Sequence, residues 1–543
     1  MDSRSEQGAL KKGGVKKGFV AGAVAAALLA AGASALAADA AAPGASAPSA
    51  APPVSAANSQ QGTAVPLVDA VRDGNRDDAI ALLAQKPDVN ATEADGTTAL
   101  HWAVYKEDTD LVDRLIKAGA KANTVNEYGS APLAEAALTG NVQIIEKLLK
   151  AGADPEATNA DGQTALMIVA RTSNVPAATA LLKKKAKVNA VEQWRGQTAL
   201  MWATAESQPE MVKLLIKHGA DVNARSVVNN WQRQVTAEPR AQARPAGGLT
   251  PLIYASRQGC LECVQALVKA KAKLDQADPE GVTPLIVAIQ NFHFDIAKHL
   301  IESGANVNKW DWWGRTPLYS AVDLNTIPHG GRPDRISLDD TTSLQIIRLL
   351  LDKGANPNAR LKLFPPYRAL GPDRGADQIL TMDTTPLFRA AKAGDAPAIK
   401  LLLEHGADPN IPQLWGITPL MAAANFGANE IDTRGRFKTQ AEAIESIKLL
   451  VAAGADVNAR DERQGGTALH GAALWGWDDV IKTLVSNKAD LNAKDKKGMT
   501  PYDAAMGRAG GHGRGGTRIE VRTATAALIK ELGGSGAPDK ATP

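Results

Sequence analysis

Apolar residues in the central part of the chain recur at helical spacings within short stretches. In residues 95–126, DGTTALHWAVYKEDTDLVDRLIKAGAKANTVN, Leu100 and Ala103 lie on one side of a short helix. A second helix carries an amphipathic stripe made of Leu111, Val112, Leu115 and Ile116. The pattern therefore predicts two short helices in each stretch, each with one apolar side.

Polar residues in this stretch predict where the helices begin and end. Asp95 and Gly96 are typical of a tight turn, and Thr98 can accept a hydrogen bond from the first turn of the helix that follows. In other stretches Pro follows this Thr, at the first helical position, where its missing N–H is not needed. Gly119 is expected to end the second helix in the left-handed conformation.

The same unit recurs along the chain. The third residue of a Thr/Ser-Pro/Ala-Leu motif, or of a close variant, is found at Leu67, Leu100, Leu133, Leu166, Leu200, Leu252, Leu285, Leu318, Leu387, Leu420, Leu469 and Tyr502. The successive spacings are 33, 33, 33, 34, 52, 33, 33, 69, 33, 49 and 33. A fixed period that is broken only by additions predicts one unit, copied about twelve times, with insertions.

These units resemble the ankyrin repeat. The T-P-L-H-x-A signature of that family appears as TALHWA at 98–103 and TALHGA at 467–472, and its closing G-A-D-V-N-A appears at 219–224 and 454–459. The resemblance covers about residues 63–532. Within the family, the chain is similar to secreted or periplasmic bacterial ankyrin-repeat proteins. It implies an all-α solenoid of about 12 helix-turn-helix repeats, with β-hairpin fingers and a concave binding face.

Four repeats depart from the family's pattern at the residue that ends the second helix. Gly stands there at positions 119, 152, 219, 304, 354, 406 and 454. Lysine replaces it at Lys86, Lys185, Lys271 and Lys488. A residue with a side chain pays about 1 kcal/mol for a left-handed backbone, so these four lysines are expected to be strained.

The first 62 residues differ in composition from the repeats. Four lysines between positions 11 and 17 precede an apolar stretch that ends in Ala35-Leu36-Ala37. This order predicts a secretory signal peptide at 1–37, cut after Ala37, and then a disordered Ala/Pro/Ser linker at 38–62. The alternative is an uncleaved inner-membrane anchor, because the apolar stretch barely reaches spanning length. At the other end, residues 533–543 are expected to form a disordered tail.

Net charge does not indicate a nucleic-acid partner. The chain carries a formal charge of +3, and its first 37 residues hold five basic and two acidic residues. The rest is therefore formally neutral, so no global positive field attracts nucleic acid.

Insertions interrupt the period at five places. Two of them, 226–247 and 361–383, lengthen fingers, and three, at about 325–341, 428–441 and 507–521, lie between the two helices of one repeat. Insertions in repeat proteins often mark the binding face, which the resemblance places at the fingers. Long surface loops are also tolerated without any function, and the sequence leaves both interpretations open.

Aromatic residues collect at the predicted fingertips. The six are Tyr128, Trp194, Trp310, Trp312, Trp313 and Trp415. Large exposed aromatic side chains mark contact sites and often dominate binding energy, so we expect these six to bind a partner. Packing between neighbouring fingers is the alternative. Trp102 and Trp202 lie on first helices instead and are expected in the core or lining the groove.

The two cysteines, Cys260 and Cys263, form a C-x-x-C pair. Val264 follows, which excludes the haem-attachment motif C-x-x-C-H, and no second pair or nearby His pair supplies zinc ligands. Two buried small residues are the favoured interpretation. A local disulfide in an oxidising compartment and a redox-active pair are the alternatives.

The expected function is binding. No metalloprotease, nucleophile-elbow or phosphate-loop pattern occurs in the sequence, so no catalytic role, cofactor or metal is predicted. The resemblance implies binding of a protein partner through fingers and groove, and we expect the protein to be a monomer. The predicted signal peptide and the Ala-rich composition indicate a location in the periplasm or outside the cell. A carbohydrate or cell-wall binder that uses the exposed tryptophans is the main alternative. An enzyme that uses the cysteine pair and a scaffold tethered to the membrane by an uncleaved N-terminus are the others.

Overall fold

Threonine begins most of the first helices. The computed structural model describes residues 65–229, 246–326, 337–363, 379–428, 438–508 and 521–537. At one of these helix starts, Thr283 Oγ1 accepts a hydrogen bond from the backbone N–H of Ile286 at 3.2 Å. Pro284 is the first residue of that helix. The predicted role of the Thr-Pro pair as a helix start is confirmed here, and it recurs along the chain.

The described residues contain twelve pairs of helices and one short pair of strands. The first helices of the pairs are α1 (Pro66–Asp73), α3 (Ala99–Tyr105), α5 (Pro132–Thr139), α7 (Ala165–Arg171), α9 (Ala199–Ala205), α11 (Pro251–Gln258), α13 (Pro284–Gln290), α15 (Pro317–Asn325), α17 (Pro386–Ala393), α19 (Pro419–Ala423), α21 (Ala468–Trp475) and α23 (Pro501–Ala505). The second helices are α2 (Arg76–Ala84), α4 (Thr109–Lys117), α6 (Val142–Lys150), α8 (Val175–Lys183), α10 (Pro209–Lys217), α12 (Leu261–Lys269), α14 (Phe294–Glu302), α16 (Ser343–Asp352), α18 (Ala396–Glu404), α20 (Gln440–Ala452), α22 (Asp478–Ser486) and α24 (Thr523–Glu531).

The pairs stack in two layers. Each first helix packs against the first helices of the repeats before and after it, from α1 to α23, and the second helices do the same from α2 to α22. One hydrophobic core runs from Leu67 to Ile529, within a single unit that spans Gly62–Pro543. A single pair cannot cover its own apolar side, so stacking is what buries the core. The predicted all-α solenoid of about twelve repeats is confirmed.

Second helices end in left-handed backbone as predicted. Gly119 has a φ of 98°, and the four lysines at the equivalent position also have positive φ. Their φ angles are 56° at Lys86, 66° at Lys185, 68° at Lys271 and 68° at Lys488. The predicted strain at these lysines is therefore present in the fold.

The fingers are mostly tight turns and contain little strand. In the described part of the chain the regular strands are β1 (Val228–Asn229) and β2 (Ala246–Gly247), which pair antiparallel at the base of the lengthened finger 226–247. Isolated bridges join Thr92 to Thr98 and Thr158 to Thr164. A turn of a few residues leaves no room for a longer ladder, so the predicted hairpins are reduced to single bridges in these two fingers.

Several predicted segments lie outside the described residues. They are the signal peptide at 1–37, the linker at 38–62, and the parts of the insertions at 230–245, 327–336, 364–378, 429–437 and 509–520.

At the C-terminal end, Ser535 donates its backbone N–H to Asn492 Oδ1 at 2.9 Å, and its carbonyl accepts from Thr500 Oγ1 at 2.7 Å. The first residues assigned to the tail, 533–537, are thus attached to repeat twelve. None of the helices in the described ranges has the length and apolarity needed to cross a membrane.

Candidate functional site

A row of turns lies along one edge of the repeats, and we call it the finger edge. Its fingers, numbered one to eleven, are residues 92–97, 124–130, 157–163, 190–197, 224–229 with 246–249, 276–282, 308–315, 360–363 with 379–384, 411–417, 459–466 and 493–499. The six predicted binding residues all lie in these ranges, in fingers two, four, seven and nine.

An acidic or amide side chain closes most of these turns. In finger seven, Asp311 Oδ1 accepts the backbone N–H groups of Trp313 at 3.0 Å and Arg315 at 2.9 Å. The same role falls to Asp95, Asn126, Asn159, Glu192, Asp278, Gln413, Asp461 and Asp495. The side chain fixes the backbone that follows it, and five of the six predicted aromatic residues stand there.

Backbone hydrogen bonds join neighbouring fingers. The N–H of Trp312 in finger seven donates to the carbonyl of Glu280 in finger six at 2.7 Å. Equivalent bonds run from Glu127 to Asp95, Val227 to Arg195, Lys362 to Trp313, Leu414 to Met382, Glu462 to Trp415 and Lys496 to Gln464. The fingers are thus held to one another as well as to their own helices.

Two fingertip glycines allow this close approach. A Cβ atom on Gly314, whose φ is 81°, would lie 2.6 Å from the backbone nitrogen of Lys362. A Cβ atom on Gly416, whose φ is 80°, would lie 2.7 Å from the backbone nitrogen of Glu462. At both positions the next finger lies directly on the glycine, so a side chain would push the two fingers apart.

Asparagine side chains fix the spacing at the base of the fingers. Asn308 Nδ2 donates to the carbonyl of Gly354 at 2.9 Å, and its Oδ1 accepts the N–H of Asn356 at 2.7 Å. Other asparagines make the same two bonds to the next repeat: Asn90, Asn123, Asn189, Asn358, Asn410, Asn458 and Asn492. Each amide replaces water on one donor and one acceptor of a loop, so the fingers stand in fixed register.

Four of the six predicted aromatic side chains are exposed. The exposed fraction is 73% for Trp194, 66% for Tyr128, 53% for Trp310 and 46% for Trp312. Trp310 and Trp312 share finger seven, whereas Tyr128 and Trp194 lie on fingers two and four. The structure therefore brings together one pair of exposed indoles and places the other two rings on separate fingers.

Trp415 and Trp313 are placed differently from those four. Trp415 is half-buried, with the guanidinium of Arg463 at 4.7 Å from its ring centre. Trp313 is only 5% exposed; Arg315 covers its ring at 4.6 Å, and its carbonyl accepts the N–H of Lys362 at 2.8 Å. The prediction that Trp313 belongs to the contact surface is corrected, because this indole packs within the finger edge.

The tryptophans of the first helices line the solenoid as predicted. Trp102 and Trp202 are half-buried and pack against the core. Trp102 Nε1 donates to Glu93 at 2.8 Å, and the guanidinium of Arg171 lies 4.7 Å from the ring centre of Trp202. Both rings are held by polar partners at the core surface.

Carboxylates of the finger edge are perturbed by burial. Burial raises the pKa of Asp278 to about 6, and the nearby charges of Glu280 and Asp311 act in the same direction. The backbone N–H groups of Val282 and Glu280, each at 2.9 Å, oppose this shift because they stabilise the ionised carboxylate. Burial also raises the pKa of Asp311, against the opposing effect of Arg315.

The two cysteines form a disulfide at the start of α12. Their sulfur atoms are bonded, Cys263 is fully buried, and Cys260 Sγ accepts the backbone N–H of Cys263 at 3.3 Å. Both cysteines are buried, as the favoured interpretation expected, and they are also bridged, as the disulfide alternative proposed. Cys260 occupies the cap position that Asn141 and Asn174 occupy at α6 and α8. Among the described side chains, no group of three His, Cys, Asp or Glu residues is arranged to hold a metal.

Comparison with family models identifies the repeats. A model described as ankyrin repeats (3 copies) matches six segments that together cover more than half of the chain. The matched segments are 67–159, 147–226, 231–311, 252–361, 367–432 and 438–512.

Curated relatives match over short parts of their length. The chain is 27% identical over 124 residues to a homolog of transient receptor potential cation channel subfamily A member 1 from Caenorhabditis elegans, covering 23% of this chain and 9% of that protein. It is 33% identical over 125 residues to alpha-latrocrustotoxin-Lt1a of Latrodectus tredecimguttatus, covering 23% and 8%. It is 36% identical over 104 residues to the neurogenic locus Notch protein of Drosophila melanogaster, covering 19% and 4%. The match thus spans less than a tenth of each of these relatives.

Solved structures of two ankyrin domains also resemble the chain. The human ASB11 ankyrin repeat domain is 21% identical, with a TM-score of 0.36, over 45% of this chain and 99% of that one. The ankyrin repeat domain of Bcl-3 is 27% identical, with a TM-score of 0.35, over 41% and 93%.

Proposed function

Since the chain belongs to the ankyrin-repeat family, whose members are protein–protein interaction modules, we propose that it binds a protein partner through the finger edge and the adjoining groove, outside the cytoplasm. The observation that carries this proposal is the pair of exposed indoles on finger seven, Trp310 and Trp312.

Rigid presentation supports a binding role for this pair. Trp312 is tied to finger six through its own backbone N–H, and finger seven is tied to finger eight through the carbonyl of Trp313. An indole on a fixed backbone loses little freedom when a partner covers it. Interfacial tryptophans commonly contribute about 2 kcal/mol or more to binding, so the pair would be a main source of affinity.

Export is supported by two independent features. Residues 1–37 have the charge and hydropathy pattern of a signal peptide, and the disulfide between Cys260 and Cys263 is of a kind that persists in oxidising compartments. N-terminal sequencing of the protein from fractionated cells tests this. We expect a mature chain that begins after Ala37 in the exported fraction. An intact Met1 in the membrane fraction would support the tethered scaffold instead, and intact protein in the cytoplasm would contradict export.

Partner recovery by matched variants tests the binding surface. Purified residues 38–543 are used to recover a partner from the exported fraction, as wild type, as Trp310→Ala/Trp312→Ala, and as Tyr105→Ala. Tyr105 lies on α3 and is 55% exposed, so this control removes an exposed aromatic ring outside the fingers. We expect the fingertip variant to lose the partner and the control to keep it, with equal helix content by circular dichroism. Equal recovery by all three would end the proposal.

The carbohydrate alternative rests on the same two rings. Flat indoles that are 53% and 46% exposed on one finger could stack on sugar rings. Cosedimentation with insoluble cell-wall polysaccharide separates the two functions. Binding of polysaccharide that Trp310→Ala/Trp312→Ala abolishes, with no protein recovered by the wild type, would favour the carbohydrate binder.

A further inference from the structure

Charge is divided unequally along the finger edge. Fingers one to three carry four carboxylates, Glu93, Asp95, Glu127 and Asp161, and no Lys or Arg. Fingers seven to eleven carry nine Lys and Arg against five Asp and Glu in their described residues. The chain as a whole is close to neutral, so this positive charge is a property of the C-terminal fingers.

The carboxylates among the C-terminal fingers are mostly turned inward. Asp311 is 1% and Asp461 is 4% exposed, and both close their turns by accepting backbone N–H groups. Asp495 does the same in finger eleven. Among the described residues of these fingers, Glu462 is the carboxylate that is exposed. The surface that a partner would meet is therefore more positive than the residue count alone indicates.

Some of the cations brace the fingers, and others do not. Arg315 pairs with Asp311 at 2.7 Å, Lys309 donates to the carbonyl of Asp275 at 2.7 Å, and Arg460 donates to the carbonyl of Lys494 at 2.5 Å. Five exposed cations form no ion pair with a carboxylate in the described parts of the chain: Arg360, Lys362, Arg463, Lys494 and Lys497. Their charge is available to a partner.

Two of these cations lie beside the fingertip indoles. Lys362 Nζ is 5.8 Å from the ring centre of Trp310, and the Arg463 guanidinium is 4.7 Å from that of Trp415. A cation over a ring presents positive charge and apolar surface at one place. A ligand that satisfies both must carry negative charge and apolar groups close together, which an acidic peptide does.

We propose that fingers seven to eleven bind an extended, carboxylate-rich segment of the protein partner. This inference rests on the proposed function and names the chemistry of the partner. Repeats stack at about 10 Å, so five fingers span about 40 Å, and an extended chain that rises about 3.3 Å per residue covers this in about 12 residues. Three residues of such a segment span the distance from one finger to the next, so an acidic residue at every third position brings one carboxylate to each finger. The negative charge of fingers one to three repels the same segment.

A labelled 15-residue peptide with Glu at every third position tests the inference, and fluorescence anisotropy measures its affinity for residues 38–543. The matched probes replace Glu by Gln or by Lys. Exposed ion pairs are weakened by salt, so we expect the Glu peptide to bind about tenfold more weakly at 0.3 M than at 0.05 M salt. We expect the Gln and Lys peptides to bind at least tenfold more weakly than the Glu peptide at low salt.

Charge-removal variants locate the site. Lys362→Gln/Arg463→Gln/Lys497→Gln removes three of the five available cations, and we expect it to lower the affinity about tenfold. The matched control, Lys183→Gln/Lys184→Gln/Lys217→Gln, removes three exposed cations at the ends of α8 and α10 and is expected to bind like the wild type. Equal loss in both variants would show a nonspecific charge effect and overturn the inference.

Two further outcomes would also overturn it. One is failure of the Glu peptide to bind the wild type; the other is tight binding of dextran sulfate at these fingers without binding of the Glu peptide, which would point to an anionic polysaccharide. The proposed function can survive either result. The assignment of the binding surface to finger seven fails if the natural partner is recovered equally by the Trp310→Ala/Trp312→Ala variant, whereas this inference fails if that partner is recovered undiminished by the three-site Gln variant.

Discussion

The backbone N–H of Trp312 donates to the carbonyl oxygen of Glu280 across 2.7 Å, and this bond joins two fingers that belong to successive repeats. The carbonyl of Trp313, the next residue, accepts the N–H of Lys362 and so joins finger seven to finger eight. Stability at the finger edge is therefore shared between neighbours, and a change in one finger is expected to affect the next.

Gly314→Ala should destabilise the protein by about 2–4 kcal/mol. The left-handed φ of 81° alone disfavours a side chain by about 1 kcal/mol. The added Cβ would also lie 2.6 Å from Lys362 N, which cannot retreat without losing its hydrogen bond to Trp313. Urea unfolding measures the loss, and hydrogen exchange should show faster exchange at the Lys362 amide.

Gly354→Ala is the matched control for that change. Gly354 has the same left-handed backbone, with a φ of 82°, and nothing lies within 4 Å of its added Cβ. We expect a loss of about 1 kcal/mol, from backbone strain alone. If the two alanine variants lose the same stability, contact between fingers seven and eight contributes nothing at Gly314.

Replacing the strained lysines by glycine should stabilise the solenoid. In Lys185→Gly and Lys271→Gly, relief of left-handed strain of about 1–2 kcal/mol exceeds the greater entropy of glycine in the unfolded chain, about 0.4–1 kcal/mol. We expect a gain of about 0.5–1 kcal/mol per site, measured by urea unfolding. Lys448→Gly, within α20, is the control and should lose about 1 kcal/mol. A loss at Lys185 or Lys271 would contradict the argument.

The period of the sequence was enough to predict the fold. Most repeats place Thr before the first helix, and a left-handed residue follows the second helix, so local signals and the 33-residue period point to the same architecture. The lysines at 86, 185, 271 and 488 could be predicted as strained because their register followed from that period. Hydrogen bonds between repeats, such as those of Asn308, were not predicted, although the recurrent Asn of the closing motif was a signal for them.

Individual fingertip side chains were harder to predict than the repeats. Trp310, Trp312 and Trp313 have the same chemistry and near-identical positions, yet the third is buried. The difference arises from the turn that Asp311 closes and from the following finger, which binds the Trp313 carbonyl. Both are tertiary features, and a repeat pattern carries no information on which side of such a turn a ring will lie.

Asp278→Asn should make stability less dependent on pH. The pKa of Asp278 is about 6 in the fold, above its ordinary value of 3.8, so the fold prefers the protonated carboxyl. This contribution is fully present below pH 4 and is lost as the pH rises through 6. Asn keeps the oxygen that accepts the N–H groups of Glu280 and Val282, as Asn159 does in finger three, but carries no charge.

We expect Asp278→Asn to be more stable than the wild type at pH 8, and closely similar to it at pH 4. Two pKa units correspond to about 3 kcal/mol, and partial solvent exposure reduces the expected gain to about 1 kcal/mol. Thermal unfolding at the two pH values measures it. A variant that gains the same stability at both pH values would show that the charge of Asp278 is not responsible.

Cys260→Asn/Cys263→Ala should fold and lose no more than about 2 kcal/mol. The disulfide closes a loop of only four residues, for which the chain-entropy contribution is about 2 kcal/mol. Asn restores a side-chain oxygen at the cap of α12, and Ala fits the buried position, as Asn174 and Ala177 do at the cap of α8. Urea unfolding with and without reductant measures both effects: the wild type should lose stability on reduction, and the variant should not respond. If the stability of the wild type does not change on reduction, the disulfide adds no stability. If the variant fails to fold, the disulfide stabilises α12 by more than the chain entropy of its short loop.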